Sequence, residues 1–131
     1  MKVVLDTNVL LAAFATRGLC EAVLAVCLER HEIVLSDYII EEMRKHLTGK
    51  FKIPANRSAE ILAFLREQAV FVKPAEVNPD ACRDSKDLAI LGTAVAAHAD
   101  CLVTGDNDLL TLGEFASIPI LSPRQFYGRL G

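Results

Sequence analysis

The strongest constraint on this chain is a repeated unit: a short apolar run of strand length that stops at a polar cluster and leads into residues with helical spacing. Lys2–Leu5 carries Val3, Val4 and Leu5 and meets Asp6-Thr7-Asn8 at once; Glu32–Leu35 ends at Ser36-Asp37; Cys101–Val103 ends at Thr104-Gly105-Asp106. Runs this short and this uniformly apolar read as strands buried on both faces, which is the habit of parallel sheets covered by helices on each side. The expected fold is α/β, a three-layer α/β/α sandwich with a central parallel sheet. The 131 residues suit one domain spanning 1–131.

Between the strands the helical signals are specific. Asn8 or Thr7 can cap a helix running to about residue 16, and a second helix over 18–30 is apolar on most of its circumference. Ser36 or Asp37 caps a third, with Ile39, Ile40, Met43 and Leu47 at helical spacing. Gly49 and Pro54 make 48–56 a loop, followed by a helix over 57–67 and a strand over 69–72. After a loop at 74–80, a helix over 85–99 opens with Asp84 and Asp87 as cap and third helical residue. A strand at Ile118–Leu121 and a helix opened by Ser122-Pro123 follow.

Composition narrows the function. A net charge of -3 and a pI of about 5.6 argue against holding nucleic acid by a bulk positive field, so any polyanion contact must be local or metal-mediated. Hydrophobic residues make up 52% of the chain, enough to predict that some apolar surface meets another subunit. The first two helices are the expected homodimer contact, because residues 18–30 leave almost no polar face. Arg17, Gly18 and Glu21 interrupt the apolar run well short of the ~20 residues that a membrane span needs. No secretory signal pattern is present, and a soluble, cytoplasmic protein is expected. Cys20, Cys27, Cys82 and Cys101 have no C-x-x-C spacing and read as buried thiols in a reducing compartment.

Four acids could converge beyond the sheet's carboxyl edge, where open α/β sheets place their ligands: Asp6, Glu42, Asp87 and Asp106. Each also has an innocent role, as turn residue, solvated helix residue, capping-box member and Asx-turn residue respectively. Gathered together, carboxylates raise one another's pKa unless a cation neutralises them. An all-oxygen set suits Mg²⁺ or Mn²⁺ better than zinc. His31, His46 and His98 fall at helix ends or on a helix surface, where each reads as solvated.

Over nearly its whole length the chain resembles the PIN-domain family, and more narrowly the toxin-like PIN proteins of prokaryotic toxin–antitoxin systems. The matching pieces are Val4-Leu5-Asp6-Thr7-Asn8-Val9-Leu10, Ser36 followed six positions on by Glu42, Arg83-Asp84-Ser85-Lys86-Asp87, and Leu102-Val103-Thr104-Gly105-Asp106-Asn107-Asp108. The resemblance implies a Mg²⁺- or Mn²⁺-dependent endoribonuclease with an RNA substrate and a cognate antitoxin. Asp6, Glu42, Asp87 and Asp106 would form its catalytic, metal-binding set, with Asn8 and Thr104 in support. Asp84 and Asp108 are additional acids beside that set. Glu41 rivals Glu42, and the step from Ser36 favours Glu42.

Arg44, Lys45, Lys50, Lys52 and Arg57 form an acid-free basic run, readable as a solvated loop or as a lip that contacts RNA phosphates. Phe51 within it could stack on a base or cover a neighbouring helix. Two other readings compete. An aspartyl phosphatase usually wants a second carboxylate two residues after its nucleophile, where this chain has Asn8. A catalytically silent PIN fold could serve as an RNA-binding or assembly module.

Overall fold

The computed structural model describes residues 1–130. In chain order the elements are β1 (Lys2–Leu5), α1 (Thr7–Ala15), α2 (Leu19–Arg30), β2 (Glu32–Leu35), α3 (Asp37–Thr48), α4 (Ala55–Gln68), β3 (Val70–Phe71), a 3-10 turn (Pro79–Ala81), α5 (Ser85–Ala97), β4 (Cys101–Val103), α6 (Asn107–Leu112), β5 (Glu114–Phe115), β6 (Ile118–Leu121) and α7 (Pro123–Leu130). They build one six-stranded sheet in the order β3-β2-β1-β4-β6-β5. Every pairing is parallel except β5 with β6.

Val3, Val4 and Leu5 on β1 are fully buried, as are their neighbours Leu35, Leu102 and Val103. Successive residues point to opposite faces of a strand, so burial of all three on β1 means helices cover both faces. The sandwich is therefore α/β/α. From β1 the chain crosses first to β2 and β3 on one side, then returns to place β4 on the other. That reversal makes the β1/β4 boundary the switch point where an open α/β sheet leaves a crevice beyond its carboxyl edge.

The strand expected at Ile118–Leu121 is β6, whereas its hairpin partner β5 carries no signal in the sequence. Its register, Phe115↔Ile118, leaves Ala116 and Ser117 as a two-residue turn, and both adopt positive φ, 50° and 66°. Such turns normally announce themselves with Asn or Gly, and here neither is present. The six-residue α6 is likewise too short for a periodic signal. The helix expected to reach residue 99 ends at Ala97, because His98 turns left-handed (φ 51°, ψ 49°) to feed β4.

The surplus apolar surface of α2 is partly met within the chain. Besides α1, α2 packs against α7, whose Phe126 is fully buried. Leu19 and Ala25 remain exposed, with Ala22 and Val26 half-buried. Among the described residues no single helix is long and apolar enough to cross a membrane, and α1 and α2 meet at 106°.

Candidate metal centre

Asp6 sits where β1 ends. Its amide donates to the Val103 carbonyl (3.0 Å), continuing the β1/β4 ladder by one residue. Its side chain caps α1, Oδ1 accepting from the Thr7 amide at 2.6 Å; the cap is thus Asp6 itself rather than Thr7 or Asn8. Oδ2 accepts from the Thr104 hydroxyl at 2.7 Å and from Asn8 Nδ2 at 3.3 Å. Asn8 Oδ1 in turn accepts the Gly105 amide (2.9 Å), and Thr104 Oγ1 accepts the Asp106 amide (3.0 Å). The two strand ends are thereby stitched into one frame around a buried carboxylate.

Asp106 caps α6, with Oδ1 accepting from the Asp108 amide at 2.8 Å, so the turn role available to it from sequence is real. Ligand oxygens of Asp87, Asp106 and Asp108 all lie within 4.8 Å of one another. Asp84 caps α5 by accepting from the Lys86 amide (3.0 Å) and lines the same cleft. Asp87 does not complete a capping box; its Oδ2 accepts from Cys82 Sγ at 3.6 Å. Asp6 and Glu42, on α3, line the same cleft but stand outside that group of three.

The electrostatics are those of carboxylates short of positive charge. Burial raises the Asp6 carboxyl despite its three hydrogen bonds, with Asp106 adding repulsion. Asp87 is pushed up to about 7, first by burial and then by Asp106 and Asp6. Tyr38, on α3, rises to about 12 through burial and the fields of Glu42, Asp84, Asp6 and Asp87, which keeps its phenol protonated. Among the described residues no Lys or Arg pairs with Asp6, Asp87 or Asp106; Arg83 reaches only Asp108, at 3.2 Å. Clustered carboxylates holding surplus charge in partial burial fit a hard divalent cation.

The PIN-domain family profile matches residues 2–108, from β1 through the acids beyond β4. The chain belongs to the PIN-domain family. Similar solved structures include VapBC2 from Rickettsia felis bound to a DNA fragment from their promoter, 14% identical with a TM-score of 0.66 over 93% of this chain and 98% of that chain. Another is VapBC-1 from nontypeable Haemophilus influenzae, 17% identical with a TM-score of 0.67 over 95% and 99% of the two chains. At such identities the likeness is one of fold. No curated protein matches by sequence.

In this PIN domain Glu42 and Glu41 part company. Glu42 is half-buried and lines the cleft, whereas Glu41 is exposed and ion-paired with Arg44. The basic run also divides. Of Arg44, Lys45, Lys50 and Lys52, only Lys50 lines the cleft; Arg44 is committed to Glu41, and Lys45 and Lys52 are exposed outside it. The lip expected across the run is one lysine wide, because the helix carries Arg44 and Lys45 around to other faces.

Two of the three histidines depart from the solvated reading. His46 is half-buried in the cleft with Nε2 3.5 Å from Glu42. His31 is half-buried edge-on to Phe126, with ring centroids 5.9 Å apart. His98 is exposed. The α3 residues Tyr38, Glu42 and His46 recur at i, i+4, i+8, a spacing that puts them on one helix face and that could have revealed the two flanking residues. Ser36 stands at the N-cap of α3 without capping it; its hydroxyl meets that of Thr93 on α5 at 2.9 Å, tying the helix of Glu42 to that of Asp87.

Proposed function

We propose that this PIN domain is a Mg²⁺- or Mn²⁺-dependent endoribonuclease, the toxin half of a toxin–antitoxin pair. The observation that carries this reading is the mutual repulsion of Asp6, Asp87 and Asp106 at the β1/β4 switch point, in a cleft that Glu42 also lines, with Asp87 pushed up to about 7. A divalent ion bound there would polarise a scissile phosphate and lower the pKa of water. Asp6, Glu42, Asp87 and Asp106 would hold it, and Asp108 lies within reach of the last two.

The chain's own part is orientation. Thr104 and Asn8 fix the rotamer of Asp6. The Ser36–Thr93 contact holds α3 and α5 at a set separation, and Asp87 gives up its proton as the site loads. Cys82, whose thiol is raised by burial, stays protonated as a donor to Asp87.

The two solved structures named above are VapBC assemblies, which supports a cognate antitoxin as partner. The remaining apolar stripe on α2 supports a homodimer. Four unpaired cysteines suit a reducing cytoplasm, where RNA would be met.

The test is RNA cleavage by the purified chain in Mn²⁺ or Mg²⁺ and its arrest by chelation. Glu42→Gln is expected to lose activity by about a hundredfold or more, while Glu41→Gln keeps it. Full activity of Glu42→Gln, or cleavage that survives chelation, would refute the assignment.

A further inference from the structure

The cleft is larger than a metal centre requires. It encloses about 400 Å³, within the rough 300–1,000 Å³ range of small-molecule sites, and extends from the carboxylates past Leu11, Ala12, Tyr38 and Ile90 to Lys50 and Phe51. Besides the carboxylates its lining offers an apolar wall, the Phe51 ring and two lysines, Lys86 next to Asp87 in the chain and Lys50 next to Phe51.

That ring is held in place. The turn after α3 is pinned by the Phe51 amide donating to the His46 carbonyl (3.0 Å) and the Ile53 amide donating to the Leu47 carbonyl (2.8 Å). Lys52 between them takes a left-handed conformation, φ 53°, which costs strain in a non-glycine residue. The strained turn keeps Phe51 at the cleft wall and 36% exposed rather than folded into the core. Lys50 Nζ rests 5.8 Å from the ring centroid, and among the described residues no carboxylate pairs with it, although the cleft is rich in carboxylates.

We propose that Phe51 and Lys50 form a nucleotide subsite in which the ring stacks on an unpaired base beside the scissile phosphate and Lys50 moves from the ring to the adjoining phosphate. A base in a duplex has both faces already stacked and offers none to Phe51, so this subsite selects single-stranded RNA. Phe51 is thus a specificity-determining residue, and the inference rests on the nuclease reading above.

The test is binding without cleavage, in EDTA, of a short single-stranded RNA carrying 2-aminopurine and of the same sequence in a duplex. Quenched emission on the single strand and a duplex bound about tenfold more weakly are expected, since one stacked base is worth about that factor or more. Phe51→Ala should weaken single-strand binding about tenfold and abolish the quenching, and Phe51→Tyr should restore both. Binding that ignores Phe51→Ala, equal binding of the duplex, or no binding of the single strand overturns the subsite. Cleavage in Mn²⁺ is scored separately: a chain that binds through Phe51 but never cleaves sinks the nuclease reading alone, and one that cleaves with Phe51→Ala indifferent sinks the subsite alone.

Discussion

The Thr104 hydroxyl donates to Asp6 Oδ2 across 2.7 Å while accepting the Asp106 amide at 3.0 Å, so one buried side chain joins the carboxylate after β1 to the backbone after β4. Thr104→Val keeps the shape and deletes both bonds. The Asp106 amide then loses its partner and Asp6 loses its shortest side-chain donor. We expect a loss of about 1–3 kcal/mol in denaturant unfolding of the metal-free chain. Weaker Mn²⁺ binding by calorimetry is expected too, with Thr104→Ser retaining both properties. Unchanged Mn²⁺ affinity in the valine variant would show that the hydroxyl does not position Asp6.

Stability of the metal-free chain should fall as pH rises. The Asp87 carboxyl is raised from 3.8 to about 7, so between those values the folded chain holds a proton that the unfolded chain has released. Unfolding in that window therefore releases a proton, and stability declines from about pH 4 through pH 7 before levelling off. Asp87→Asn should flatten that slope, and Mg²⁺ at pH 8 should raise Tm in the native chain by binding only the folded state. A pH-independent Tm from 5 to 8 without metal would show that the Asp87 environment is not electrostatically strained.

Much of this arrangement is legible in residues that act locally. Val3–Leu5 followed at once by Asp6 carries both a buried strand and the acid at its end, and Leu102-Val103-Thr104-Gly105-Asp106 does the same for β4. What escaped depends on contacts between distant segments. No local signal tells that α7 packs on α2, or which cation of the basic run lines the cleft, although the i, i+3 spacing of Glu41 and Arg44 does announce their pairing. Ile118–Leu121 reads as a strand in the sequence, but its pairing with β5 escaped because Ala116 and Ser117 occupy a turn whose usual Asn or Gly is missing.

Gly92 lies inside α5, where alanine is ordinarily preferred by about 1 kcal/mol. Here the sign reverses. The Gly92 carbonyl accepts the Ala75 amide at 2.9 Å, and a Cβ at Gly92 would collide with the Ala75 carbonyl oxygen. The backbone of 74–75 must approach α5 this closely for the chain to pass from β3 to the Asp84 cap. Gly92→Ala is expected to destabilise by more than about 1 kcal/mol despite its better propensity. A rise in Tm would show that the loop gives way freely.

Self-association is decided on α2. Leu19, Ala22 and Val26 follow i, i+3, i+7 along one stripe and stay exposed or half-buried after α1 and α7 have covered the rest. An apolar stripe of this kind buries itself most simply against its own copy across a two-fold axis, because the same patch then serves both partners. The predicted assembly is a homodimer at micromolar concentration, measured by light scattering. Leu19→Glu with Val26→Glu should yield monomers whose circular dichroism is unchanged, since neither side chain is fully buried in the isolated chain. A native chain that scatters as a monomer with no partner present would remove the dimer, and would leave the stripe as surface for a different protein.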